Sequence, residues 1–257
     1  MTKTSIRQFL IATSAAAALA LAGCGGSAPD PQPTPDPSAE ARAMRIQTAN
    51  VVCVSDQNKD RLVTYPTKSG DLGVGYLVGQ GDTAVVLLHQ AGGGLCLWTG
   101  TADKYAAKGL RAFAIDIRSD TRAQDTVDAV AYLRANGAKR VFLVGASLGA
   151  TTALIAAASA QPAVDGVVSL SGPVLTDGMD AAPAITSLTM PIVFAAGDNE
   201  GNFTDDAKKL HSGCASRQKR LILLPTSDHG FYLMSRGMDD FVQQFVADPV
   251  AALKLTV

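Results

Sequence analysis

The sequence predicts one α/β domain, built on a mostly parallel sheet of about eight strands with helices on both faces. Apolar, β-branched runs alternate with stretches whose apolar residues recur at helical spacing. The later runs are continuously apolar, which is typical of parallel strands covered on both faces. A chain of 257 residues with 47% hydrophobic and 18% charged residues is long and apolar enough to bury one large core. Wholesale disorder is therefore excluded.

The order of the elements follows from these runs. Strands are predicted at 51–55, 73–78, 84–89, 111–115, 140–144, 166–170, 191–196 and 220–224. Helices are predicted at 99–108, 120–136, 148–160, 205–215 and 238–247. No helical pattern separates the first strands, so we expect a small antiparallel edge. The later alternation of strand and helix predicts a parallel sheet.

The composition also excludes several functions. A net charge of −1 without a basic run gives no electrostatic footprint for nucleic acid. Four cysteines are too few for a disulfide scaffold, and none has the spacing of a zinc site. The phosphate-binding pattern G-x-x-x-x-G-K-[ST] is absent. We therefore expect neither a metal nor a cofactor.

Residues 1–23 have the pattern of a secretory signal peptide. Lys3 and Arg7 precede an apolar stretch at 9–22, which is shorter than the roughly 20 residues that span a bilayer. The stretch ends in Leu-Ala-Gly-Cys, which resembles the bacterial lipobox, in which the cysteine is lipidated. We expect an exported lipoprotein, held in the cell membrane or outer membrane through Cys24, with its domain facing the periplasm or the exterior. Ordinary signal cleavage beside an incidental cysteine is the alternative.

Residues 24–45 are predicted to be a Pro-rich disordered tether, and residues 46–257 the folded domain. Five of the 12 prolines occupy alternate positions between Pro29 and Pro37. Alternating prolines oppose a helix and favour extended polyproline II. A partner-binding proline motif is the alternative interpretation, but nothing in the sequence implies a protein partner.

The segment 145–149 carries the clearest chemical signal. It reads Gly-Ala-Ser-Leu-Gly between a predicted strand and a predicted helix, which is the pattern of a nucleophile elbow. The turn is too tight for side chains at Gly145 and Gly149, and it exposes the hydroxyl of Ser147 at the carboxyl end of the sheet. We predict that Ser147 is a nucleophile. A small-residue crossing of helix and strand is the alternative.

A serine nucleophile needs a base and an acid. His229 lies in the loop after the last predicted strand, at the same edge of the sheet as Ser147, and is predicted to be the general base. The acid is expected between them in sequence. Asp198 and Glu200 both follow the strand at 191–196, and both remain candidates.

An oxyanion hole is also required for acyl transfer. The backbone N–H of Leu148, directly after the nucleophile, is one predicted donor. The other is expected from the loop at 89–94, whose glycines let it present backbone N–H groups. Ala91 is the first candidate there and Gln90 the second. A flexible surface turn is the alternative interpretation of this loop.

These motifs, in this order, resemble the α/β-hydrolase family over roughly residues 73–246. They are most similar to small, lidless bacterial members of the dienelactone-hydrolase-like and esterase type. The resemblance implies hydrolysis of a small carboxylic ester through an acyl-serine intermediate. It favours Glu200 as the acid, because the family usually has its acid at that register. The loop has His-Gln at 89–90 where many members have His-Gly, and the segment 116–120 lacks the usual glycines.

The segment 172–189 is too short for a cap domain, so we expect an open cleft. An acyltransferase that uses the same triad, or a non-catalytic binding lipoprotein that retains the fold, is the alternative function. After lipidation of Cys24, three cysteines remain: Cys53, Cys96 and Cys214. At most one disulfide joins two of them, and the sequence does not choose the pair.

Overall fold

The computed structural model describes residues 37–49, 51–117 and 120–255, and within them eight strands form one sheet. In chain order, the strands of these residues are β1 Leu62–Pro66, β2 Leu72–Val78, β3 Thr83–Leu88, β4 Arg111–Ile115, β5 Arg140–Ala146, β6 Gly166–Leu170, β7 Leu175–Thr176, β8 Met179–Asp180, β9 Ile192–Gly197 and β10 Lys219–Leu224. Strands β7 and β8 pair with each other in a separate hairpin.

The helices lie mostly between the strands. In chain order they are α1 Pro37–Thr48, α2 Thr99–Ala107, α3 Arg122–Ala135, α4 Leu148–Ser159, α5 Ala181–Ile185, α6 Asn202–Gly213, α7 Met238–Ala247 and α8 Pro249–Ala252. Three 3-10 helices occupy Asp56–Arg61, Leu95–Leu97 and Gly230–Arg236. Within the described ranges, none of the helices has both the length and the apolar character needed to span a membrane.

The order of the strands is β1-β2-β4-β3-β5-β6-β9-β10. Strand β2 is antiparallel to both β1 and β4, and the pairs from β4 to β10 are parallel. The predicted mostly parallel sheet with an antiparallel edge is therefore confirmed. Strand β5 lies between β3 and β6, and the carboxyl ends of the parallel strands meet at one edge of the sheet, which is where ligands bind in open α/β sheets.

Both faces of the sheet are covered by helices. Successive side chains of a strand point to opposite faces. Val85 and Leu87 thus pack in one apolar layer with α2 and α7, whereas Val86 and Leu88 pack in the other with α3, α4 and α6. All four side chains are fully buried. This two-layer core fixes the strand ends that carry the site.

The prediction of a strand at 51–55 is wrong. That segment is a turn in which Val52 is exposed, Val54 is buried in the core and Val51 is partly buried against it. The first strand is β1, Leu62–Pro66, whose Tyr65 is fully buried against the ring of Phe113. A short apolar run alone does not make a strand; β1 forms because it can pair with β2 and bury a large aromatic side chain.

The predicted tether at 24–45 is also wrong in its described part, because α1 begins at Pro37. Proline is tolerated at the first position of a helix, where its missing N–H would have no partner in any case. The helix packs on the domain, and Arg45 Nε donates to the carbonyl oxygen of Leu72 at 2.7 Å. Among the described residues, the folded domain therefore includes α1 and does not begin at residue 46. The predicted signal peptide and Cys24 lie outside the described residues.

The segment 172–189 contains the hairpin β7–β8 and the short helix α5, and no cap domain is present among the described residues. Asp177 and Gly178 form the turn of the hairpin, with φ values of 49° and 74°. This confirms the prediction that the segment is too short for a cap.

One disulfide joins Cys53 to Cys96, with 5.6 Å between their Cα atoms. It ties the turn before β1 to the 3-10 helix Leu95–Leu97, which directly follows the loop at 89–94. Cys214 is a buried free thiol. The structure therefore supplies the pairing that the sequence leaves open.

Removing this disulfide is expected to destabilise the domain by about 4 kcal/mol, since the bridge closes a loop with a sequence separation of 43 residues. A denaturant titration measures this difference when the free energy of unfolding of the double variant Cys53→Ser, Cys96→Ser is compared with that of the oxidised protein. The single variant Cys214→Ala serves as a control that keeps the bridge. A difference below about 1 kcal/mol would contradict the entropic account.

The Cys214 thiol is expected to resist alkylation in the native protein. Burial raises the pKa of this thiol, and its exposed fraction is 4%. Because the thiolate is the reactive form, iodoacetamide at neutral pH should label Cys214 at least about 10-fold more slowly than free cysteine. Mass spectrometry of the peptide that contains Cys214 gives the rate. Labelling should become rapid in denaturant; equally fast labelling of the folded protein would contradict the buried position.

Candidate active site

Ser147 lies in a strained turn between β5 and α4. Its φ and ψ are 50° and −115°, a region that residues with side chains seldom adopt. The turn requires the two flanking glycines. A Cβ atom on Gly145 would lie 2.2 Å from the carbonyl oxygen of Gly149, and one on Gly149 would lie 2.4 Å from that of Leu88. The Gly-X-Ser-X-Gly pattern is therefore explained by backbone contact on both sides of the serine.

The surroundings of Ser147 leave hydrogen-bonding groups available. Within the described residues, its hydroxyl makes no hydrogen bond to another group, and the residue is 8% exposed. The first N–H groups of a helix have no intrahelical acceptor. In α4, Ala150 and Thr151 donate to the carbonyl oxygen of Ser147, and no such bond is formed by the N–H of Leu148 within the same part of the chain.

His229 is bound to Glu200. Its Nδ1 lies 2.5 Å from Glu200 Oε1, and because a carboxylate accepts, Nδ1 carries the hydrogen. Glu200 Oε2 accepts from the N–H of Gly197 at 2.7 Å and from Ser171 Oγ at 2.9 Å. The Glu200 side chain is only 4% exposed and that of His229 is 31% exposed. The carboxylate is therefore held at both oxygens, and the imidazole is partly exposed.

Asp198, the other candidate acid, does not contact His229. Its side chain is exposed, and its Oδ1 accepts from Asn199 Nδ2 at 2.8 Å. Asp228 points away as well, and is paired with Arg236 at 2.5 Å. The structure brings Glu200, and neither aspartate, to the imidazole.

The loop of His229 lies over the elbow. A Cβ atom placed on Gly230 would be 3.5 Å from Ala146 Cβ, so the residues next to His229 and Ser147 are in contact distance. The ring of Phe203 packs on the imidazole, with 4.2 Å between the ring centroids. Trp98 is fully buried and packs edge to face on Phe231, with 4.7 Å between the ring centroids.

The loop at 89–94 is organised by two side chains. His89 Nε2 accepts from the N–H of Ile117 at 3.1 Å, so its Nδ1 carries the hydrogen and donates to the carbonyl oxygen of Gln90 at 2.9 Å. Gln90 Oε1 accepts from the N–H of Phe231 at 3.0 Å. Ala91 is exposed, and its N–H makes no hydrogen bond within the described part of the chain.

An open cleft of about 610 Å³ adjoins these groups. It is lined by Ala91 and Leu148 together with His89, Gly92, Gly93, Ile117, Arg122, Thr176 and Asp177. Arg122 binds Asp177 at the tip of the β7–β8 hairpin at 2.5 Å, which fixes that side of the cleft. Both predicted sources of oxyanion donors, Leu148 and the 89–94 loop, thus face one cavity.

The comparison with known families agrees with this geometry. The family model for the alpha/beta hydrolase fold matches residues 83–251. The chain belongs to this family. The match includes the elbow, both candidate acids and His229. No curated protein sequence matches this α/β hydrolase at a significant level.

Solved structures resemble this α/β hydrolase over most of their length. A dienelactone hydrolase from Anabaena variabilis matches at 19% identity and a TM-score of 0.59, over 72% of this chain and 98% of that one. An esterase from Pyrococcus furiosus matches at 15% identity and a TM-score of 0.62, over 72% of this chain and 89% of that one. An esterase from Exiguobacterium antarcticum matches at 13% identity and a TM-score of 0.60, over 72% of this chain and 99% of that one. At these identities the likeness shows the shared fold.

Sequence reasoning missed Ser171 and the role of the Gln90 side chain in this α/β hydrolase site. Ser171, one residue beyond β6, donates a hydrogen bond to the carboxylate of Glu200. The side chain of Gln90 accepts a hydrogen bond from the N–H of Phe231 in the histidine loop, whereas the sequence indicates only the backbone N–H of Gln90, as an oxyanion donor. A signal existed for Ser171, because it ends a strand next to β5 and so lies at the edge of the sheet that carries Ser147.

Proposed function

We propose that this protein is an exported, lipid-anchored serine hydrolase that cleaves small carboxylic esters through an acyl-serine intermediate. The observation that carries the proposal is the bond between His229 and Glu200, with His229 in a loop that packs on the Ser147 elbow. The fold relatives named as a dienelactone hydrolase and as esterases support an ester as the substrate.

The first half of the reaction forms the acyl-enzyme. Ser147 Oγ attacks the ester carbonyl carbon while His229 Nε2 takes the hydroxyl proton. Glu200 stabilises the imidazolium through its bond to Nδ1. The N–H groups of Leu148 and Ala91 bind the oxyanion, and we favour Ala91 over Gln90 because Ala91 lines the cleft. The tetrahedral intermediate then expels the alcohol, which takes the proton from His229.

The second half hydrolyses the acyl-enzyme. Water loses a proton to His229 and attacks the acyl carbonyl carbon. The tetrahedral intermediate then breaks its bond to Ser147 Oγ, which takes the proton back from His229 as the carboxylic acid leaves. The partial exposure of His229 and the lack of a cap among the described residues support access of water to this step. Each oxyanion donor in such sites contributes a factor of about 10²–10³ to kcat.

The proposed location rests on separate grounds. The signal-like segment before Cys24 supports export and lipidation of that cysteine. The disulfide between Cys53 and Cys96 supports an oxidising compartment outside the cytosol. Metabolic labelling with a palmitate probe tests the anchor: the wild-type protein should be labelled and the variant Cys24→Ala should not.

A fluorophosphonate probe tests the activity, because it modifies only an activated serine. We expect labelling of the wild-type protein and none of the variant Ser147→Ala. Hydrolysis of p-nitrophenyl acetate, with the same variant as control, tests turnover. Equal labelling of both proteins, or equal hydrolysis rates, would contradict the proposal. Ester exchange on addition of an alcohol in place of hydrolysis would indicate an acyltransferase.

A further inference from the structure

Two consecutive backbone N–H groups directly after His229 are each bound by a side chain. The N–H of Gly230 donates to Ser171 Oγ at 2.9 Å, and the N–H of Phe231 donates to Gln90 Oε1 at 3.0 Å. These residues are distant in sequence from the loop, by 59 and 141 positions respectively. The histidine loop is thus attached to two other parts of the chain.

The two attachments come from opposite sides of the nucleophile strand. Gln90 follows β3 and Ser171 follows β6, and β5, which ends at the Ser147 elbow, lies between those two strands. A Cβ atom on Gly230 would lie 2.6 Å from Gln90 Oε1 and 3.5 Å from Ala146 Cβ, so the loop is pressed closely onto this edge. Gly230 itself has a φ of 58°, which favours glycine.

Ser171 also acts on the acid. Its hydroxyl accepts from Gly230 N–H and donates to Glu200 Oε2, so one oxygen atom links the carboxylate to the loop of the imidazole. The residue is fully buried and has a φ of 50°. A left-handed conformation is unfavourable for a residue with a side chain, whereas glycine adopts it readily. Ser171 thus has an unfavourable backbone conformation, and its two hydrogen bonds explain why a serine is present at this position.

We propose that Gln90 and Ser171 are positioning residues, which clamp the His229 loop from both sides so that the imidazole stays aligned with Ser147. The inference rests on the proposed hydrolase function. Neither side chain is required to touch the substrate. Their effect follows from alignment, because a displacement of about 1 Å at a reacting group can cost on the order of 10²-fold in rate.

The variants Ser171→Gly and Gln90→Met test the clamp. The glycine removes the hydroxyl and relieves the unfavourable φ, and methionine keeps the length of glutamine without its amide oxygen. Ser169→Ala is the matched control: Ser169 is a buried serine on β6 whose hydroxyl has no hydrogen-bond partner among the described residues. The readouts are kcat and KM for p-nitrophenyl acetate per active site titrated with the fluorophosphonate probe, and the melting temperature.

We expect kcat to fall by about 10- to 100-fold in Ser171→Gly and by about 10-fold in Gln90→Met, with KM within about twofold of wild type. Ser169→Ala should retain the wild-type kcat. A purely structural role would lower the melting temperature and the titrated fraction, but not kcat per titrated site. The clamp is overturned if kcat per site stays within twofold of wild type, or if KM changes instead. A wild-type protein without Ser147-dependent turnover would contradict the proposed function itself.

Discussion

Replacing Ser147 by alanine is expected to lower kcat for p-nitrophenyl acetate by about 10⁴-fold or more. The variant loses the nucleophile, so the acyl-enzyme cannot form and only binding and the oxyanion donors remain. The serine hydroxyl makes no hydrogen bond within the described residues, so its removal breaks none there. Initial rates, corrected for spontaneous hydrolysis, measure the effect.

The melting temperature of Ser147→Ala should be close to that of wild type, because alanine meets the same backbone strain at a φ of 50° as serine does. Ser169→Ala is again a suitable control for loss of a serine hydroxyl from the same region. If Ser147→Ala retains more than about 1% of wild-type kcat, the reaction does not proceed through this serine.

Glu200→Gln is expected to lower kcat by about 10³- to 10⁴-fold. The amide retains the shape of the side chain but loses the charge that stabilises the imidazolium. An amide nitrogen directed at Nδ1 would also favour the wrong tautomer of His229. Folding should persist, because an amide oxygen can still accept from Gly197 N–H and Ser171 Oγ. The value of kcat at saturating p-nitrophenyl acetate measures the loss.

Asp198→Asn supplies the matched control for Glu200→Gln. It removes the same charge from the same loop, but its side chain is exposed and does not contact His229. We expect its kcat to stay within about twofold of wild type, as for most surface substitutions. A loss in Asp198→Asn as large as that in Glu200→Gln would show that the acid has been assigned to the wrong residue.

The elements around the nucleophile could be predicted from sequence because their signals are local. The apolar run before Gly145, the small residues at 145–149 and the helical pattern after them all act within one continuous segment, and β5 and α4 have bounds near those predicted. The position of His229 followed from the strand order in the same way. The carboxyl ends of parallel strands necessarily share an edge.

The choice between Asp198 and Glu200 could not be made from the residues alone. The two side chains leave one tight loop two positions apart, and their directions depend on local contacts. The N–H of Glu200 donates to Thr204 Oγ1 at 3.2 Å, and that hydroxyl donates to the carbonyl oxygen of Gly197 at 2.6 Å. These bonds close the loop and direct Glu200 inward, and no periodic pattern reports them.

The two wrong assignments at the N-terminal end have a similar cause. Helix α1 begins at the last of the alternating prolines, so composition suggested an extended chain where the following residues form a helix. Strand β1 contains Pro66 and polar Thr64, and forms because β2 offers it a partner. In both places tertiary contacts decided the structure, and such contacts outweigh local propensity.

The strand order has a consequence for folding. Gln90, Ser147, Ser171, Glu200 and His229 follow β3, β5, β6, β9 and β10, which are five neighbours in the sheet. The site is therefore divided among segments that meet only when non-local pairing along the sheet is complete, and such pairing forms slowly. During refolding, esterase activity should therefore return only when the whole sheet is complete. The helical signal can return earlier, as individual helices form.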